Sequence, residues 1–336
     1  MSRFLLWAQS RRWIWSVIGI GALWITLSLV TSRLSLESLS GVAVSAAFLV
    51  LPALGQMFVV STGRGNIDLS IPSVITLSAF VAMNLIGGSN AMLPVGLAAI
   101  LGLGLLVGAV NAILVLKLRI PAMVATLATG YVLATATLLA NREFTSYQIS
   151  SILVYIADGR FLGVPVIVVT ALAAVALSAF VLKRTAYGRM LMAVGQNQRA
   201  AELANVPAQR VVTAAFLASG LASALDGALL SAHTGGAFLE MGAAYLLQSV
   251  GAVVLGGTLI FGGKSTAFGT LSGAFLLVLI VTTMQIAGLP GGMQEIVEGI
   301  VIILVLGVAG ELRPRRGEHR RRDELARLRG RPLERP

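Results

Sequence analysis

The chain has 336 residues, of which 57% are hydrophobic and only 12% charged, with a mean hydropathy of +0.89. That balance excludes a water-soluble fold of this length. The formal net charge of +11 comes from 25 Lys and Arg against 14 Asp and Glu; with no cysteine, the sequence carries no disulfide framework, no thiolate metal site and no sign of its redox compartment.

Hydrocarbon cannot hydrogen-bond free backbone groups, so each bilayer crossing takes about 20 mostly apolar residues wound as a helix. Runs of this kind lie at 13–30, 42–61, 73–88, 91–116, 121–140, 164–182, 210–232, 244–261, 268–287 and 294–310. They predict an all-α integral membrane protein of about ten transmembrane helices, with one polytopic domain over 1–310 and a basic tail over 311–336. The first run is too long for a signal peptide and lacks a clear small-x-small cleavage site, so it reads as a retained helix. Long polar interruptions occur only at 141–163, at 183–209 and in the tail, and the Gly-rich connection at 233–243 has room for a short helix. IPAMVATLATG at 120–130 and LPGGMQEIVEG at 289–299 share a Pro-to-Gly spacing, which is either chance or a faint inverted repeat.

Charge orients these runs. With the N-terminus inside, the cytoplasmic segments hold 22 of the 25 basic residues, and the external loops hold only Arg33, Arg142 and Arg160. Without the tail the asymmetry is still 12 to 3, so both termini are expected in the cytoplasm. The tail, with its Arg320–Arg322 run, reads as a lipid-surface anchor or a disordered segment rather than a nucleic-acid site.

The most telling stretch is 183–206, KRTAYGRMLMAVGQNQRAAELANV, a polar, basic, helix-prone segment between two membrane-length runs. Such a segment suits a handle gripped by a partner outside the membrane. GGKS at 262–265 ends like a phosphate loop, but Thr258 stands where that pattern needs Gly, so it reads as a tight turn between helices. His233 and His319 stand alone, without partners at metal-ligand spacing, and no catalytic group, metal site or cofactor is expected. Asp226 falls within the seventh run, and Glu295 and Glu298 lie at the outer end of the tenth. Ionisable groups there are either functional or polar links between helices. TGRGNIDLSIPS at 62–73 gathers Gly63, Gly65, Asn66, Asp68 and Ser70 between two runs, with Pro72 opening the next. It is either irregular backbone lining a wet cavity or an ordinary turn capped by Ser70. Asn66, Asp68, Ser70 and Asp226 are therefore the candidates for a pathway or gate.

IDLS at 67–70, after a Gly-rich turn, resembles the GGIDLS signature of ribose-type permeases, the membrane subunits of bacterial ATP-binding cassette (ABC) sugar importers. AYGRMLMAVGQNQRAAELANV at 186–206, VGAVVLGGTLIFGGKSTAFGTLSGAF at 250–275 and QEIVEGIVIIL at 294–304 are similar to the same family, so the likeness covers most of 40–310. Arg64 and Asn66 alter the usual double Gly, Lys264 replaces an Arg–Gly pair, and Asn205 stands where Gly is usual. The resemblance implies the ABC importer permease fold in a bacterial inner membrane. It implies a second permease subunit, a periplasmic solute-binding protein, and an ATPase subunit with tandem nucleotide-binding domains. That ATPase would contact the 183–206 loop, where the matching positions are Gly188, Arg189, Gly195, Asn197, Ala200, Ala201 and Glu202. The implied activity is import of a pentose, hexose or polyol by alternating access, with no ATPase site on this chain. An ion-coupled secondary carrier is the alternative from another class, and a branched-chain amino acid permease is the alternative within this one.

Overall fold

The computed structural model describes residues 13–31, 36–142 and 148–311. In chain order the helices are α1 (Trp13–Thr31), α2 (Leu36–Ser61), α3 (Ile71–Leu85), α4 (Leu93–Leu116), α5 (Ala122–Ala140), α6 (Ser151–Asp158) and α7 (Val166–Arg184). They continue as α8 (Ala186–Gln196), α9 (Gln198–Leu203), α10 (Ala208–Thr234), α11 (Tyr245–Leu255), α12 (Ala267–Ile286) and α13 (Gly291–Glu311). Among the described residues α2, α4, α5, α7, α10 and α12 are long and apolar enough to cross a membrane. The chain is an all-α, multi-pass membrane protein.

Several boundaries depart from the hydropathy reading. The run at 244–261 is helical only over Tyr245–Leu255, because Gly256 caps it and Gly257 takes a φ of 82°. The third run stops at Leu85. The connection at 233–243 begins inside α10, which Gly235 (φ 74°) ends, and from there forms turns and no further helix. The 141–163 interruption carries α6 and a small antiparallel hairpin, β1 (Arg160–Phe161) and β2 (Val164–Pro165), the one departure from all-α structure among the described residues. Residues 312–336, with His319 and Arg320–Arg322, lie outside the described residues, as does Arg33.

Burial separates central helices from peripheral ones. The apolar window of α2 is 83% buried, against 28% for α7 and 33% for α4 and α5, so α2 is core and the others turn a broad face outward to lipid. The longest helix, α10, packs on α2, α3 and α4. The neighbour pattern repeats: α2 packs on α11 and α12 as α10 packs on α3 and α4, and α2 and α10 pack on each other. Likewise α5 contacts α3 and α4 as α13 contacts α11 and α12. Pro121 and Pro290 immediately precede α5 and α13, so the two Pro-to-Gly segments open equivalent helices and mark a repeat.

Lipid supplies no hydrophobic drive between helices, so close backbone approach holds this bundle. One of the tightest crossings is α4 on α10, where a Cβ added to Gly220 would sit 2.0 Å from the Gly104 carbonyl oxygen. Gly102, two residues away on the other side of α4, faces open space. Gly220→Val should therefore force the helices apart and cost about 1–3 kcal/mol. Gly102→Ala should leave stability unchanged. Thermal unfolding of the two variants in detergent would check this, and equal melting temperatures would contradict the crossing.

Candidate functional site

After Ser61 the chain unwinds through three consecutive left-handed residues: Gly63 (φ 82°), Arg64 (φ 59°) and Gly65 (φ 72°). Arginine in that region costs roughly 1–2 kcal/mol, so packing must hold it there. The buried amides beyond it find side chains instead of a helix. Asp68 N donates to Gln56 Oε1 (3.0 Å), Leu69 N to Thr126 Oγ1 (2.9 Å) and Ser70 N to Asp68 Oδ1 (3.0 Å). The Asp68 carboxylate also accepts from Ser70 Oγ (2.6 Å) and Ser219 Oγ (2.7 Å), and Ser70 Oγ accepts from Asn111 Nδ2 (2.8 Å). All of these side chains are buried. One knot thus ties the 62–70 segment to α2, α4, α5 and α10. Ser70 makes no side-chain cap on α3, because its hydroxyl is committed to Asp68.

The other two gate candidates lie elsewhere. Asn66 donates to Thr62 Oγ1 (2.9 Å) and lines a cavity of about 680 Å³ together with Arg64, Arg119, Gln198, Arg199 and Glu202. The structure therefore groups Asn66 with α9 and not with Asp68. Asp226 is fully buried in α10, with no hydrogen-bond partner on either carboxylate oxygen. It sits at a junction of two interrupted helices. Beside it, a Cβ on Gly227 would lie 2.2 Å from the Ile75 carbonyl of α3, and Tyr245 at the start of α11 is within its electrostatic reach. Gly242 N donates to Thr76 Oγ1 (3.1 Å) at the same junction.

Among the remaining acids, Glu298 is buried and accepts from Gln248 Nε2 (3.3 Å), a link between α13 and α11, while Glu295 is exposed. His233, expected in a loop, stands in the last turn of α10. Its Nδ1 lies 2.5 Å from Asp158 Oδ1 and its ring 4.8 Å from that of Phe48.

The 183–206 segment folds as two helices with side-chain caps. Thr185 Oγ1 accepts from Gly188 N (3.2 Å) to open α8, and Asn197 Oδ1 accepts from Ala200 N (3.1 Å) to open α9. Asn205, at φ 59°, supplies the left-handed turn that Gly usually provides, and Val206 N reaches back to Ala201 O (2.9 Å). Tyr187 anchors α8, its hydroxyl donating to Val211 O (3.3 Å), and burial pushes its phenol above the usual range.

Glycine joins this segment to the body. A Cβ on Gly195 would lie 2.0 Å from Ser61 O and 2.4 Å from Gly263 N, and one on Gly262 would lie 2.4 Å from Gly63 Cα. Gly263 N donates to Ser61 O (3.2 Å), and Ser61 Oγ to Ser265 Oγ (2.7 Å). The end of α8 is thereby clamped between the turn that ends α2 and the GGKS turn before α12. Gly188, Gly195 and Ala201 face inward, whereas Arg189, Asn197, Ala200 and Glu202 are exposed. Sequence reasoning missed Leu203, an apolar residue 83% exposed at the end of α9. It also missed the role of GGKS, whose paired glycines were the only available signal.

Asp68→Ala should leave two buried hydroxyls and an amide without their acceptor and cost on the order of 3 kcal/mol; Asp68→Asn keeps most acceptors and should cost less. Melting temperatures in detergent would rank the two. Equal, small losses would mean that the knot does not hold the break.

A family described as "Branched-chain amino acid transport system / permease component" matches residues 38–306. The Autoinducer 2 import system permease protein LsrC of Enterobacter sp. (strain 638) is 33% identical over 297 residues, 88% of this chain and 86% of that one. Its counterpart in Escherichia coli (strain K12 / DH10B) is 30% identical over 325 residues, 96% and 94% of the two chains. That of Salmonella typhi is 31% identical over 325 residues, 96% and 93%. No solved structure matches the chain. With the match running from α2 into α13, the chain belongs to this permease family, whose members are the membrane subunits of ABC importers and carry no ATPase of their own.

Proposed function

We propose that the chain forms half of the membrane pathway of an ABC importer for a sugar-like solute in the bacterial inner membrane. The relatives import autoinducer 2, a sugar-derived molecule, which favours the sugar class over branched-chain amino acids. A second permease subunit completes the pathway, a periplasmic binding protein delivers the solute, and a tandem ATPase drives the cycle. Ten helices span the bilayer, α1–α5, α7 and α10–α13, with both termini in the cytoplasm.

The glycine clamp at Gly195 carries this reading. An ATPase that closes on ATP pushes the exposed face of α9, made by Ala200 and Leu203. The clamp transfers that push to Ser61–Gly63 and Gly262–Gly263 without flexible side chains in between. From there the Asp68 knot passes it to α3, α4, α5 and α10. Asp68 and Ser70 hold the start of α3, and Asp226 acts as the gate element where α3 meets α11, which alternates the opening; Asn66 acts from the α9 side.

Two predictions follow the path from membrane to partner. Reporter fusions after residues 35, 150 and 238 should read external, and fusions after 66, 195 and 320 cytoplasmic, as the 22-to-3 basic asymmetry requires. An external reading at 195 would remove α9 from any ATPase.

Reconstitution tests the function itself. The purified chain in liposomes should import sugar only with its ATPase and binding protein, and uptake by the chain alone on an ion gradient would identify a secondary carrier. Ala200→Glu combined with Leu203→Glu should abolish uptake and release the ATPase without loss of expression, because both side chains are exposed. Ala201→Glu should instead destabilise the chain itself, since Ala201 is 5% exposed and faces its own bundle.

A further inference from the structure

The cavity beside Asn66 has a charge pattern that the transport reading does not use. Three arginines line it, from three separate elements: Arg64 in the unwound turn, Arg119 between α4 and α5, and Arg199 on α9. None of them makes an ion pair among the described residues. The one carboxylate at the cavity, Glu202, accepts from Gln198 Nε2 (2.8 Å), which leaves an excess of positive charge. Arg64 and Arg119 both hold left-handed backbone, with φ of 59° and 58°, where glycine would be unstrained. Strain kept at two charged positions around one hollow points to a use for those charges. The lining also has an apolar part, with Val115, Leu116 and Met123. A volume of about 680 Å³ suits a small organic molecule better than a bare ion.

We propose that this cavity binds a phosphate monoester from the cytoplasmic side, the organic part lying on the apolar wall and the phosphoryl group among the three arginines. Guanidinium groups pair with phosphate oxygens in bidentate geometry, and a dianion matches the excess charge left by Glu202. Such a ligand bridges Arg64 and Arg119 on the body to Arg199 on α9, so its occupancy holds α9 in place. The site would let phosphorylated compounds inside the cell restrain import. The cytoplasmic placement rests on the orientation proposed above, whereas the binding itself does not.

The full chain in phosphatidylcholine nanodiscs, titrated with ribose 5-phosphate, tests the site with both faces open. Saturable binding is expected, with slower hydrogen exchange in the amides of α9, and ribose should not bind. Arg64→Gln, Arg119→Gln and Arg199→Gln should each weaken binding at least tenfold. Arg64→Gly and Arg119→Gly relieve the backbone, so they should abolish binding while preserving or raising the melting temperature. In nanodiscs doped with phosphatidic acid, arginine-dependent loss of ribose 5-phosphate binding would identify a lipid headgroup as the source of the same phosphoryl group; unchanged binding would identify the soluble ester. The proposal fails if neither form binds, if ribose binds equally, or if the glutamine variants bind normally. It also fails if those variants bind phosphate normally but lose the ATPase, which would make the arginines a protein contact. Sidedness is read separately, by labelling Leu203→Cys, in a chain without native cysteine, in vesicles of known orientation. External labelling would overturn the orientation and leave the binding result standing.

Discussion

Beyond the exposed Arg64 the chain runs into the bundle without helical geometry, and the amides of Asp68, Leu69 and Ser70 must find acceptors that lipid cannot offer. An unmet buried backbone group costs as much as a lost hydrogen bond, so the break exists only where side chains stand in for the missing turns. Gln56, Thr126 and Asp68 provide those acceptors, and Ser219 and Asn111 fix the acceptors in turn. The rest of the arrangement depends on this. The helix α3 starts only at Ile71, its first turns meet Gly242 from the other interrupted segment, and α10 must present Ser219 and Gly220 on adjoining faces.

What makes the knot consequential is its distance from slack. At Gly195 the contact between α8 and the body is backbone against backbone, on both sides. Long side chains would absorb a displacement by changing rotamer; packed main chain transmits it. The same logic explains why Ala201 is buried and Ala200 is not. The helix α9 has one face seated on its own chain and one exposed.

The membrane class, the long apolar helices and the special nature of 62–73 and 183–206 were legible because each rests on local chemistry: apolar runs, polar interruptions, Gly and Pro at turns. The partners of Asp68 were not, since Gln56 and Ser219 lie 12 and 151 residues away. Nor were helix faces. In α4, apolar nearly all round, no periodicity separates the Gly104 side, pressed on α10, from the exposed Leu105 and Leu106. The halt of α11 at Gly256 was hidden for a similar reason, because hydropathy continues through to Phe261 while the backbone does not. Asn66 and Asp68, two positions apart, were grouped by sequence and separated by the fold, since the unwound turn sends one towards α9 and the other into the bundle.

The two interrupted regions differ in how they treat their acids. Asp68 has five polar atoms' worth of support around it, directly or one bond away, so the first break is held rigid. Asp226, beside the second, has neither oxygen engaged. A buried carboxyl group without donors is costly, and any rearrangement that brings it a donor or water recovers part of that cost. The cost at Asp68 is thus offset by its neighbours, whereas that at Asp226 is met by no side chain among the described residues.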